Sequence, residues 1–189
     1  MNLDGWSLAE VAAAVEAQLR AYGMSVAVVG GSAITIHVPQ VYTSHDIDLA
    51  VTTGINHRRI GEALAGLGFK SYGRSYANET TPYTIDIVAD TPYVDQRPIH
   101  DFDRVQTIRG DVTVLKLQDA IADRIAAFLY WQDSQSLDVA ERSLAAADPK
   151  IDWASLIATL EQLEHGDHDT NERFQLALEV LSKAYEGRP

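Results

Sequence analysis

The sequence predicts an α/β (α+β) chain, with strands and helices interleaved to about residue 115 and an all-helical region over 116–189. Three observations predict it. Short β-branched runs, SVAVV (25–29), DIDLAV (46–51) and DVTVLKL (111–117), are separated by helical patterns in the first part. From Gln118 onward apolar residues recur at helical spacing, broken near Pro149 and Gly166. Neither a repeat nor a low-complexity linker intervenes, so the two parts read as a core (1–115) and an appended helical region.

The elements follow in order. SLAE is a capping box, Ser7 as N-cap and Glu10 at N3, which opens a helix that Gly23 can end near Tyr22. The apolar run 25–29 suits a buried strand. After Gly30 and Gly31, a short helix is expected from Ser32 until Pro39 stops it. DIDLAV reads as a second strand. Ile60, Leu64 and Leu67 share a helical stripe, with Asn56 as cap and Gly68 as stop. Residues 70–90 hold two extended stretches around polar turn formers, a hairpin pattern. Strand 111–117 then leads into helices over about 118–132, 135–147, 152–164 and 169–186, with Asp152 and Asp169 as N-caps.

Composition narrows the function classes. The chain has 189 residues, 46% hydrophobic and 22% charged, which is enough to bury a core. No apolar run is long enough for a membrane helix, and MNLDGWSLAEV lacks the basic and apolar regions of a secretory signal. There is no cysteine, so disulfides and thiolate metal sites are excluded; a cytoplasmic setting is the expectation. Fifteen Lys plus Arg face 27 Asp plus Glu, a net charge of −12 that disfavours a generic grip on nucleic acid. A nucleotide held through divalent cations is compatible with that charge.

The chemistry concentrates between Gly30 and Asp86. Side chains alternate along a strand, so Asp46 and Asp48 share one face and Ile47 and Leu49 the other. Two carboxylates one pleat apart repel, so either one keeps its proton or a cation lies between them. Hard divalent ions take such oxygens, and Mg²⁺ combines one or two carboxylates with substrate phosphates. Asp86, in the apolar run TIDIVA, is the candidate third ligand; Asp90, beside a turn, is the blander one. Gly30, Gly31 and Ser32, where a strand passes into a helix, offer backbone N–H groups to an anion, and the Ser32 hydroxyl is expected to add a hydrogen bond. Phosphate cradle and aspartates together suit metal-dependent phosphoryl or nucleotidyl transfer.

This pattern resembles the nucleotidyltransferases of the DNA polymerase β superfamily: a GG/GS turn (Gly30, Gly31, Ser32), D-x-D (Asp46, Asp48) and a third aspartate (Asp86). GGSA…DIDLAV with KLQDAIADRIAAFLYWQDSQSLDVA further resembles the minimal members, including nucleotidyltransferase-like proteins of toxin–antitoxin systems. The resemblance covers about residues 25–142. It implies a mixed β-sheet core with flanking helices, followed by a C-terminal helical bundle. It implies two Mg²⁺ or Mn²⁺ ions on Asp46, Asp48 and Asp86, an NTP as substrate, and a basic residue following an aspartate, matched by Asp123 and Arg124. The expected reaction is transfer of an NMP from an NTP to a hydroxyl of RNA or protein, with a cognate antitoxin or toxin as partner. Nucleotidylation of a small aminoglycoside-like molecule and a catalytically silent partner-binding protein are the alternatives. Two departures bear on them. Tyr42 and Ser44 stand where many relatives have arginine and threonine, and Gln135 with Asp138 stands where the toxin group has two acidic residues.

Other residues read more plainly. Arg124 and Lys116 are candidate phosphate or nucleotide contacts, although a basic residue on an apolar helix often just pairs with a nearby carboxylate. Arg58 and Arg59 open a helix and are expected in solvent. His45 has the opposite parity to Asp46 and is expected to point away from it; His37 carries no further signal. Phe128, Tyr130 and Trp131 are expected to pack between the two parts. HGDHD (165–169) is expected to be a polar loop, with Asp169 capping the next helix, and not a metal cluster.

Overall fold

A computed structural model describes residues 1–147, 151–163 and 168–186. The fold is the expected mixed α/β arrangement, with seven helices and nine strands among those residues. Helix α1 (Leu8–Ala21) opens with the SLAE capping box formed on both sides. Strand β1 (Val26–Val28) follows, then helix α2 (Gly30–His37), strand β2 (Asp46–Val51) and helix α3 (His57–Ala65), capped by the Asn56 side chain.

Helix α2 corrects the sequence reading: it begins at Gly30, two residues earlier than expected, so both glycines lie in its first turn. Residues 70–90 form three strands where two were expected. β3 (Lys70–Tyr72) and β4 (Ser75–Ala77) make a hairpin, and β5 (Thr84–Ala89) continues from it. Gly73, at φ +62°, makes the turn that splits the first stretch.

Three strands carry no sequence expectation: β6 (Tyr93–Val94) and β7 (Arg97–Pro98), which form a small separate hairpin, and β8 (Phe102–Thr107). Strand β9 (Gly110–Leu115) pairs with β8 and ends before Lys116, which caps helix α4 (Leu117–Trp131). Helices α5 (Ser134–Ala147), α6 (Trp153–Glu161) and α7 (His168–Glu186) complete the chain. Asp152 caps α6 as expected, whereas Asp169 lies inside the first turn of α7 and does not cap it. Residues 165–167 of HGDHD lie outside the described residues. Among the described residues no helix is long and apolar enough to cross a membrane.

The main sheet runs β3-β4-β5-β2-β1-β9-β8. Its centre is β2, antiparallel to β1 and parallel to β5. A parallel neighbour needs a crossover, and here α3 with the β3–β4 hairpin supplies it. Ile47, Leu49, Ile85, Val112 and Val114 point into the core, joined by Val11, Val15 and Leu19 of α1. Helix α4, with Ile121, Ile125 and Leu129 buried, packs on α2 and on α5, α6 and α7, and thereby joins the helical region to the sheet. Trp131 corrects another expectation. It is 81% exposed at the end of α4, while Phe128 is buried and Tyr130 packs at the edge of the core.

Candidate functional site

The sheet register assembles the site. Along β2, Ile47 and Leu49 are fully buried on one face, which fixes Asp46 and Asp48 on the other. The parallel ladder sets Asp48 directly beside Asp86 of β5, and Asp46 beside Thr84. The three aspartates thereby offer carboxylate oxygens that all lie within 4.8 Å of one another. Among the described residues no ion pair reaches any of the three.

Each carboxylate has a distinct environment. The buried Ser44 hydroxyl donates to Asp46 Oδ1 at 2.5 Å, and Ser44 N donates to Thr35 Oγ1, which anchors the approach to the strand. Ser44 therefore keeps a working hydroxyl at the position where threonine was the alternative. Asp86 Oδ1 is buried and has no hydrogen-bond partner among the described residues. Burial pushes the Asp48 carboxyl up to about 7, and the charges of Asp46 and Asp86 add to the rise. Arg124 opposes it and Asp123 adds slightly, which places both α4 residues within electrostatic reach of the triad.

The first turn of α2 closes against this cluster. Gly30 has φ +60°, and a Cβ there would stand 2.6 Å from Asp48 Oδ2. Only glycine satisfies both the backbone angle and the approach. A Cβ at Gly31 would meet the Tyr42 ring at 2.9 Å, so that ring lies on the second glycine. The N-cap, Val29, has no side-chain acceptor, which leaves first-turn N–H groups uncapped beside the aspartates.

Ser32 is a correction. Its hydroxyl donates to Val29 O at 2.7 Å, accepts from Asp48 N at 3.1 Å, and is fully buried. A hydroxyl has one proton to give, so Ser32 ties α2 to β2 and does not present a donor to a phosphate. Lys116 ion-pairs with the exposed Asp101. Arg124 donates from Nη2 to Asp123 Oδ2 at 2.7 Å, and its Nε is buried without a partner among the described residues.

The remaining candidates lie elsewhere. His37 bonds Leu115 O, His45 is exposed, and Asp90 is exposed past the end of β5. Gln135 is exposed on α5, and Asp138 pairs there with Arg142. Arg58 is exposed as expected, while Arg59 reaches back to Tyr22 O at 2.6 Å.

The donor set fits a hard divalent cation. It offers three carboxylates, one of them carrying an unpartnered buried oxygen and another, Asp48, pushed up by burial and by its two acidic neighbours. A solved structure shares the fold. A superposition with TM-score 0.52 covers 100% of this chain and 96% of an antigenic nucleotidyltransferase-like protein from Paracoccidioides brasiliensis, at 14% identity. This chain has a nucleotidyltransferase-like fold.

Looser superpositions reach the antibiotic-resistance factor ANT(2'')-Ia. Its solution structure gives TM-score 0.42 at 15% identity, over 95% of this chain and 92% of that one. Its complex with adenylyl-2"-tobramycin gives 0.39 at 16%, over 89% and 94%. No protein-family model matches the chain. No curated protein matches it in sequence.

Proposed function

We propose that this chain transfers an NMP from an NTP to an acceptor hydroxyl at the Asp46–Asp48–Asp86 cluster. The observation that carries the reading is the register of two parallel strands, which sets Asp48 beside Asp86 with carboxylate oxygens within 4.8 Å, against the glycine turn that opens α2.

In this reading Asp46, Asp48 and Asp86 hold two Mg²⁺ or Mn²⁺ ions. Bound there, such ions lower the pKa of the attacking hydroxyl and neutralise charge on the departing pyrophosphate. The chain's own groups do the positioning. N–H groups of Gly30 and Gly31 receive oxygens of the β- and γ-phosphates at the uncapped start of α2. Arg124 brings a guanidinium to the same charge from α4, and Lys116 is the second cation available, since its partner Asp101 is exposed. The acceptor oxygen bonds to the α-phosphorus as the bond from that phosphorus to the pyrophosphate oxygen breaks. Asp86 would help activate the acceptor, whose proton passes to water. The products are the nucleotidylated acceptor and pyrophosphate.

The division of labour follows the chain: 1–115 carries the ions and phosphates, and 116–189 supplies the cation and the acceptor side. We retain an RNA or protein hydroxyl as acceptor, in a toxin–antitoxin setting, because of the likeness of DIDLAV and KLQDAIADR to the minimal members.

Label transfer tests the reading. Purified protein with Mg²⁺ or Mn²⁺ and each α-labelled NTP is offered total tRNA, lysate protein and small cationic metabolites, beside an Asp46→Ala/Asp48→Ala control. Label in one pool that is absent from the control is the expected result and names the acceptor class. No label in any pool, with no nucleotide-dependent change in melting, replaces the reading with a silent partner-binding protein.

A further inference from the structure

The corner between α4 and α5 holds a hydrogen-bond chain that the transfer reaction leaves without a task. Asp133 stands just before α5 and caps it: Oδ1 accepts from Gln135 N at 3.1 Å and from Ser136 N at 3.3 Å. Its other oxygen, Oδ2, accepts the Ser136 hydroxyl proton at 2.6 Å. A cap needs only the first oxygen.

With its single proton on Asp133, the Ser136 hydroxyl shows only lone pairs in its remaining directions. One of them meets Arg124 Nη1 at 3.5 Å, a long contact. On the other side Arg124 Nη2 is held by Asp123 at 2.7 Å. Ser136 is 2% exposed, so its hydroxyl has little access to water. The hydrogen bonds from Ser136 and the Arg124 charge both hold the Asp133 carboxyl below its usual range, so it stays a full anion beside the guanidinium.

Three α5-side features thus converge on one cation: a buried hydroxyl, its orientation by Asp133, and the Asp133 charge. We propose that Ser136 and Asp133 are positioning residues for Arg124. Asp133 takes the Ser136 proton, which turns the Ser136 lone pairs toward the guanidinium and holds it between the two helices, within reach of Asp48. This rests on the reading that Arg124 contacts the triphosphate. In chemical terms the α4–α5 corner sets the grip on the polyanion.

The test uses the full chain and four variants: Arg124→Ala, Ser136→Ala, Asp133→Asn and Asp133→Ala. Asp133→Asn keeps a good cap but removes the charge, whereas Asp133→Ala removes both. Affinity is titrated with the Mg²⁺ complexes of ATP, GTP, CTP and UTP, and melting is recorded without nucleotide. The expected result is a roughly tenfold weaker Kd for the preferred nucleotide in Ser136→Ala and Asp133→Asn, in line with the loss of a charge-assisted contact. Asp133→Asn should melt near wild type, and only Asp133→Ala should show the cost of a lost cap.

A second readout needs no nucleotide. The Arg124 Nε–H resonance, assigned by its absence from Arg124→Ala, should be sharp in the wild type and broadened in Ser136→Ala and Asp133→Asn. If Arg124→Ala loses nucleotide while Ser136→Ala and Asp133→Asn bind as wild type, the corner is a helix cap and the proposal is overturned. If the wild type binds no nucleotide, the reading of the site fails instead. The resonance then decides the positioning role: broadening in both variants supports it, and an unchanged signal overturns it.

Discussion

Asp48 is where burial and charge conflict most openly. Its carboxyl rises to about 7 because ionising it means desolvating a charge beside two others. The folded chain therefore binds a proton that the unfolded chain, with an ordinary Asp near 3.9, gives up earlier. Without metal, stability from this group is intact below about pH 4 and falls as pH rises toward 7, where the loss levels off. The full loss is of the order of 4 kcal/mol. Urea melts in EDTA at pH 5 and pH 8 should show the drop, and Asp48→Asn should remove most of it while raising stability at pH 8. A wild type equally stable at both values would mean that Asp48 is solvated. Gly30 is the other residue-scale constraint. Gly30→Ala should cost about 1–3 kcal/mol in backbone strain and push Asp48 aside. Gly31→Ala should be milder, since only the Tyr42 ring needs to move. Comparative melts with a Mn²⁺ titration of both variants check the order.

At the scale of elements, legibility followed burial. Strands β1 and β2 announce themselves as apolar runs because both faces, or one whole face, are buried, and β5 and β9 carry buried Ile85, Val112 and Val114 among their β-branched residues. Strand β3 is exposed throughout, so its split from β4 at Gly73 left no pattern, and most of β8 alternates half-buried and exposed positions, so its sequence, FDRVQT, carries no run to detect. The parity of Asp46 and Asp48 was legible from the alternation of one strand. Asp86 was legible as a candidate third ligand, but its pairing directly beside Asp48 was not fixed by local pattern, because it depends on a parallel pairing of positions 38 apart in the chain. Ser32 was legible as a residue and misread as a donor, since its proton is taken by Val29 O inside the turn. It links β1, α2 and β2, and Ser32→Ala leaves Asp48 N without that partner. We expect a loss of about 1–3 kcal/mol with weaker metal binding, the cost of an unsatisfied buried group. Denaturant melts beside a Mn²⁺ titration measure both; unchanged metal affinity at lower stability would leave Ser32 a purely structural link.

At the scale of the molecule, a net charge of −12 means that any added cation relieves self-repulsion, so a melting rise on adding Mg²⁺ does not by itself report a site. The site is isolated by difference. In about 0.15 M salt, where exposed charges are largely screened, Mg²⁺ should stabilise the wild type more than Asp46→Ala/Asp48→Ala, whose metal-free stability at pH 8 should already be higher. Added NTP should then stabilise the wild type further by mass action, about 2.7 kcal/mol at a hundredfold excess over Kd. Arg124→Ala should keep the metal increment and lose most of the nucleotide increment, because its cation comes from α4 and not from the sheet. That separation is what the proposed reading requires of a two-part chain: the strands would hold the ions, and the helical region would complete the grip on the phosphates. If both increments vanish together in Arg124→Ala, the helix holds the sheet in shape and contributes no contact of its own. Equal increments in the wild type and the double mutant would remove the cluster from the mechanism altogether.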